Sequence, residues 1–347
     1  MINNNFRRIL IFNVNWLGDV IFTIPAIRAL HKQYPESFIA CVAPERCREV
    51  LELNPYINEV ISFDERKTHK SIPSKLEFIQ LLKSKKFDTV FLFHRSFTRL
   101  FLVTLSGIKR RIGLDRKKFS FLLTYKIPFI ERDSVHRVDY FMNIVKPFCS
   151  NVSDKTYELK IDIEDILFTR RLLEEARIKK TEDFIVLNPG ANWIFKRWPV
   201  ENFALLCDFV KTNFKTEVVI SGSEVDMDLA KEIYRLTENK PVVLCGKTNL
   251  KQLAALFKMS KLVVSADSGP LHIAIASGTR TVSLFGPTSA KITGPYDLEK
   301  NVVIQKTIDC QVPCYEVKCF DSKCMWGITP EEVLEAIKKL NILVGKS

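Results

Sequence analysis

Arg8-Ile-Leu-Ile-Phe-Asn-Val14, followed by Asn15-Trp16-Leu17-Gly18-Asp19, is the stretch from which the fold can be read. Its first half is rich in branched apolar side chains, as a strand buried on both faces requires. The second half is a tight loop. Beyond it Val20, Ile21, Ile24, Ile27 and Leu30 recur at three- and four-residue spacing, the signature of a helix with one apolar face. That helix runs to Tyr34-Pro35, because proline disfavours helix in the residue ahead of it. The pattern then repeats, with strands expected over 38–42, 59–63 and 89–93 and helices over 72–83 and 98–105. Alternation of this kind implies a parallel sheet wrapped by helices.

From about 150 to 181 the chain is mixed and charged, with a helix over 164–177 and no strong strand, and the domain junction is expected there. A second alternating series follows, with strands over 184–187, 217–221, 242–245, 262–265 and 281–285. The expected organisation is α/β, two Rossmann-like doubly wound domains facing a central cleft, over residues 1–165 and 166–347. Thr329-Pro330-Glu331-Glu332 opens a final helix over 329–343 with an N-cap hydroxyl, a proline at the first position and a capping-box glutamate. This helix is expected to pack back on the N-terminal domain.

The 347 residues, 46% hydrophobic and 27% charged, have a globular composition and a length that favours two domains. Lys and Arg number 52 against 40 Asp and Glu, and the resulting charge of +12 attracts anions: nucleotides, lipid head groups or nucleic acid. No apolar run approaches the roughly 18 residues of a spanning helix, and the first residues lack the long apolar segment of a secretory signal. The expectation is a protein neither spanning a membrane nor exported. Five of the nine cysteines (Cys41, Cys47, Cys149, Cys207, Cys245) lie in apolar or amphipathic segments, as small hydrophobes of a reducing cytoplasm do.

Three loops carry chemistry. In the first, Gly18 lets the backbone approach a ligand, and Asp19 sits in the first helical turn, where it serves either as a base or as a cap. Gly-x-Gly-x-x-Gly is absent, which removes the main support for a dinucleotide site. The second loop, from Asn188-Pro189-Gly190 to Lys196-Arg197-Trp198-Pro199, brings two cations and free N–H groups to the start of a helix, a combination suited to phosphate. The third is Ser265-Ala266-Asp267-Ser268-Gly269-Pro270-Leu271-His272, where Ser268 and Gly269 offer donors to an anion, Asp267 orients the loop and His272 lies a turn further along.

With these three segments in this order, the chain resembles the family 9 glycosyltransferases, the bacterial lipopolysaccharide heptosyltransferases. Thr23-Ile24-Pro25, Arg28-Ala29-Leu30 and Phe285-Gly286-Pro287-Thr288 add to the resemblance, which spans nearly the whole chain; the opening loop and the cysteine-bearing tail look most like the heptosyltransferase II branch. The resemblance implies a GT-B fold, an inverting transfer from ADP-heptose, and a lipid-linked anionic core oligosaccharide as acceptor. It implies Asp19 as general base and Lys196 on the donor diphosphate. Gly18, Asn188, Gly190, Asp267, Ser268, Gly269 and His272 would line the donor pocket, with Glu224 on the ribose. No cofactor or metal is implied, and the place of action is the cytoplasmic face of the inner membrane.

Asp226-Met227-Asp228 forms an Asp-x-Asp triplet, but inside a helix expected over 224–236 residues two apart point about 200° apart, so it reads as a solvated helical start. Arg95, Arg99, Lys109, Arg110, Arg111, Arg116, Lys117 and Lys118 are interleaved with Phe97, Phe101, Phe119 and Phe121. The mixture suits an anionic membrane surface, with Arg95, Arg99 and Arg111 as acceptor contacts; the alternative is an amphipathic helix with a charged outer face followed by a basic loop. Cys310, Cys314, Cys319 and Cys324 do not follow common zinc spacings, which leaves reduced thiols, local disulfides or a structural zinc. Two rivals stand: a related transferase using another nucleotide sugar, and a nucleic-acid-binding protein, for which no recognition motif is evident.

Overall fold

The computed structural model describes residues 5–115, 119–178, 183–306, 308–315, 319, 321–341 and 343. The chain divides into two compact units, Met1–Tyr157 and Glu158–Ser347. In the first, β1 (Arg8–Phe12), β2 (Phe38–Ala43), β3 (Glu59–Ser62), β4 (Thr89–Leu92), β5 (Arg110–Leu114) and β6 (Tyr125–Ile127) form one sheet in the order β3-β2-β1-β4-β5-β6. All its pairings are parallel. Side chains alternate across β1, so Leu10 and Phe12 enter one core with Val42, Phe63, Phe78 and Val90. Phe63 packs there on Phe78 at 4.4 Å and edge-on to Phe12 at 5.5 Å.

The second unit repeats this plan with β7 (Phe184–Asn188), β8 (Glu217–Ile220), β9 (Val242–Val243), β10 (Leu262–Ala266), β11 (Thr281–Phe285) and β12 (Asn301–Gln305), ordered β12-β11-β10-β7-β8-β9 and again parallel. Counted from its own first strand, each sheet runs 3-2-1-4-5-6. The order therefore reverses between β1 and β4 in one unit and between β7 and β10 in the other. Ligands of open α/β sheets bind beyond the carboxyl ends of the strands at this reversal.

Several expectations change. The single helix after β1 is two, Leu17–Phe22 and Ile24–Gln33, interrupted at Thr23 because Pro25 has no N–H to continue the ladder and instead occupies the first turn of the second helix. Strands β5, β6 and β12 were not expected from the sequence. Arg110 and Arg111 open β5, and β6 and β12 are sheet edges, where the apolar signal is weak. The helix Ile163–Glu175 packs on Leu250–Met259 and belongs wholly to the second unit, so the division falls ahead of 165/166. The final helix, Pro330–Lys339, has the expected Thr329–Glu332 capping box. Val333, Leu334, Ala336 and Ile337 enter the core of its own unit, against Val200–Phe214. No helix among the described residues is long and apolar enough to cross a membrane.

Candidate active site

In the first unit the loop after β1 is pinned from several sides. Arg99, 2% exposed, donates from Nη1 to the Asn13 carbonyl at 2.7 Å and from Nη2 to Asn15 Oδ1 at 2.5 Å. Asn15 Nδ2 lies 3.2 Å from His94 Nε2, and Arg46 donates to the Asn15 carbonyl at 2.7 Å. Burial pulls the Arg99 pKa down to about 10, with Glu65 and Asp64 opposing, so the guanidinium stays charged at neutral pH.

Behind this loop, Asp19 lies in the first turn of Leu17–Phe22 next to Gly18. It does not cap the helix: Trp16 is the N-cap residue, and no side chain caps there. Its carboxylate instead meets two arginines, Oδ2 with Arg132 Nη2 at 2.5 Å and Oδ1 with Arg137 Nε at 3.4 Å. Arg137 is buried and held in turn by Asp133 at 2.9 Å and the Arg132 carbonyl at 2.9 Å. Sequence reasoning missed both arginines; their only signal is the dense charge of Glu131-Arg132-Asp133 and His136-Arg137 ahead of the Arg137–Val145 helix.

In the second unit, Asn188 ends β7 fully buried and donates to the Ser221 carbonyl at 3.1 Å and to Ser221 Oγ at 3.0 Å, joining the ends of β7 and β8. Gly190 passes so close to Asp226 that a β-carbon there would stand 2.5 Å from its carboxylate. This overturns the solvated reading of Asp226. It is buried as the capping-box acceptor for Ser223 N at 2.9 Å and Oγ at 2.6 Å, whereas Asp228 is exposed on the helix Met227–Leu236. Glu224 is exposed in the turn just ahead.

The Lys196-Arg197 pair divides its labour. Arg197 donates to the Ala191 carbonyl at 2.9 Å and closes the loop, and buried Trp198 donates to the Ile328 carbonyl at 2.9 Å. Lys196 reaches across to β10, where its Nζ meets Asp267 Oδ2 at 2.8 Å and the Asp267 carbonyl at 3.1 Å. The other carboxylate oxygen of Asp267 lies 3.2 Å from His272 Nε2. Burial by itself raises the pKa of Asp267, but the His272 hydrogen bond and the Lys196 charge outweigh it and hold the carboxyl well below its usual range. With the carboxyl ionised, the proton of that bond resides on Nε2. Ser268 precedes the helix Gly269–Ala276 without capping it, its Oγ lying 3.3 Å from Ser265 Oγ. The first N–H groups of the helix are therefore served by no side-chain cap, beside a lysine, which is a setting for phosphate.

The three arginines expected at the acceptor have different fates. Arg99 faces inward, because its guanidinium satisfies the Asn13–Asn15 loop. Arg111 is spent on the carbonyls of Leu122, Ile108 and Lys109. Arg95, bonded to the Tyr140 hydroxyl at 2.6 Å and lying over Phe129, lines a cavity of about 290 Å³ beyond β4 and β5 together with His94, Phe97, Leu100, Phe119 and Leu123. Arg116, Lys117 and Lys118 lie outside the described residues. Of the cysteine group, Cys310 is exposed, Cys314 and Cys319 are half-buried and Cys324 is in the second core. Among the described residues no three His, Cys, Asp or Glu side chains stand close enough to hold a metal ion.

Two doubly wound sheets in series, each with its chemistry at the strand-order reversal, define the GT-B architecture of sugar transferases. The chain belongs to glycosyltransferase family 9, the heptosyltransferases, whose family model matches residues 75–324. It is 26% identical over 348 residues to the lipooligosaccharide heptosyltransferase 2 of Campylobacter jejuni subsp. jejuni serotype O:6, covering 96% of this chain and 99% of that one. It is also 24% identical over 350 residues to the lipopolysaccharide heptosyltransferase 2 of Escherichia coli strain K12, covering 96% and 98%. Among solved structures, a family 9 glycosyl transferase from Veillonella parvula superposes with a TM-score of 0.88 at 27% identity, covering 98% of each chain. The ADP-heptose lipopolysaccharide heptosyltransferase II of E. coli superposes at 0.80 with 25% identity, covering 96% of this chain and 98% of that one. The protein is a glycosyltransferase.

Proposed function

We propose that this glycosyltransferase moves heptose from ADP-L-glycero-D-manno-heptose to the inner core of lipopolysaccharide, with inversion at the anomeric carbon. The observation that carries the reading is the Lys196–Asp267–His272 group beside the helix Gly269–Ala276, in a chain similar from end to end to heptosyltransferases 2. Lys196 and the helix N–H groups suit a diphosphate, and Asp267, held ionised, aims both Lys196 and His272. Asn188, Gly190 and Ser268 shape the same strand ends, and Glu224 is assigned to the ribose.

Asp19 is the general base. The acceptor hydroxyl oxygen attacks the anomeric carbon, the bond from that carbon to the diphosphate breaks, and ADP leaves with the electron pair while Asp19 takes the hydroxyl proton. To take it, one carboxylate oxygen must exchange an arginine for the acceptor. Arg132, the more exposed partner, is the one that yields, and buried Arg137 keeps the carboxylate aimed. Negative charge gathering on the leaving diphosphate is met by Lys196 and by the amides near Gly269. A lipid-linked acceptor places the enzyme at the cytoplasmic face of the inner membrane as a peripheral protein.

Mass spectrometry of products from purified protein, a set of nucleotide sugars and a panel of truncated core acceptors tests the reading. A mass increment of one heptose from ADP-heptose is expected. Transfer from a different nucleotide sugar, with none from ADP-heptose, would overturn the donor assignment.

A further inference from the structure

The helix Phe97–Leu105 is built inside out. Its exposed positions, Phe97 at 43%, Phe101 at 44% and Leu105 at 44%, recur every four residues and are all apolar, and its one charged residue, Arg99, is buried. A helix facing water carries polar residues on that stripe. The charged outer face weighed from the sequence is therefore absent. Phe97 stacks on Phe101 at 5.8 Å and meets Phe119 at 4.0 Å. The turn Ser120–Leu122, packed beside the helix, adds Phe121, which is 75% exposed. Contiguous apolar surface of this kind marks an interaction site.

Charge identifies what lies against it. The first unit has 26 Lys and Arg against 15 Asp and Glu, so it holds nearly all of the net charge of +12. Exposed Lys109 lies four residues beyond the end of the helix. Aromatic and aliphatic side chains bordered by cations match the boundary between acyl chains and anionic head groups. A second copy would instead bring two strongly positive units together.

We propose that the outward face of Phe97–Leu105, with Phe121 beside it, is the surface by which the protein docks on an anionic bilayer. It deepens the membrane contact inferred above and rests on the acceptor being lipid-linked for its purpose, not for its evidence. The test is sedimentation of the full chain with vesicles of phosphatidylglycerol and phosphatidylethanolamine, and with vesicles of phosphatidylcholine. The wild type should partition onto the anionic vesicles, less so as salt rises. The double variant Phe101→Ser, Leu105→Ser should lose about tenfold or more of that partitioning, with transfer to a deacylated, water-soluble acceptor unchanged. Should the double variant lose cooperative unfolding, Phe121→Ser, outside the helix, is decisive in the same assay. Undiminished partitioning of the variants, equal binding of wild type to both vesicle types, or a wild-type dimer in ultracentrifugation that the variant dissolves would each overturn the proposal. Absence of transfer to the soluble acceptor by wild type counts against the proposed function and leaves the vesicle result to judge the surface alone.

Discussion

Asp19 and Lys196 are the two side chains on which the proposed chemistry depends, and each yields a measurable expectation. Asp19→Asn keeps the shape of the side chain and its place between Arg132 and Arg137 but cannot accept a proton. Transfer should fall about 10²- to 10⁴-fold with ADP-heptose binding largely intact. Near wild-type turnover in a correctly folded Asn variant removes Asp19 as the base. Lys196→Ala should weaken ADP binding by the ~1.5 to 3 kcal/mol of a charge-assisted contact, read by calorimetry on protein shown by circular dichroism to be folded. Unchanged affinity would take Lys196 out of the donor site. The sequence placed Lys196 and Asp267 in separate loops with the right chemistry. Their 2.8 Å contact depends on β7 and β10 being sheet neighbours, and β8 and β9 come between them in the chain. Arg132 was illegible for a stronger version of the same reason. It stands 113 residues from Asp19, in a segment with no periodicity to locate it.

At the scale of elements, local rules read best where one short segment decides the outcome. The Thr329 hydroxyl accepts from the Glu332 amide, and the Glu332 carboxylate accepts from the Thr329 amide at 3.0 Å; both follow from a four-residue pattern. Removing that cap with Thr329→Ala should cost about 0.5 to 2 kcal/mol, seen as a lower midpoint in chemical denaturation. No change in midpoint would mean that the helix is held entirely by Val333, Leu334 and Ile337 in the core. Elements fixed by their neighbours read worse. Strand β5 begins with two arginines and contains Gly113, whose added β-carbon would stand 3.3 Å from both Leu92 and Leu123, so packing on β4 makes it a strand and its own side chains do not. The Asp-x-Asp triplet was misread likewise. Asp226 is buried by the close approach of Gly190 and by its capping box with Ser223.

For the molecule as a whole, the same strand order occurs twice, and the proposed base and the proposed diphosphate site each fall at the strand-order reversal of their own sheet. That repetition was visible in the sequence as two alternating series, because central parallel strands are uninterrupted apolar runs. The whole-molecule expectation is that exhaustive treatment with EDTA leaves transfer intact, since in the proposed mechanism Lys196 and the helix amides supply the positive charge that the leaving diphosphate needs. Metal analysis and circular dichroism on the treated sample separate a lost catalytic ion from damage to the fold. Activity that disappears in folded protein and returns with magnesium or manganese would show the charge accounting to be incomplete.

Arg99 gives the helix Phe97–Leu105 a second consequence. The guanidinium that points inward holds the Asn13 carbonyl and the Asn15 side chain, just ahead of Asp19. Under the proposed docking, a restraint on the helix from outside would bear on the loop within, and such coupling is reciprocal: an acceptor seated at the loop would strengthen the hold on the bilayer by the factor with which the bilayer strengthens the hold on the acceptor. Transfer then becomes interfacial under the same proposal, and its rate is expected to follow the number of acceptors per unit area of membrane and not their concentration in bulk.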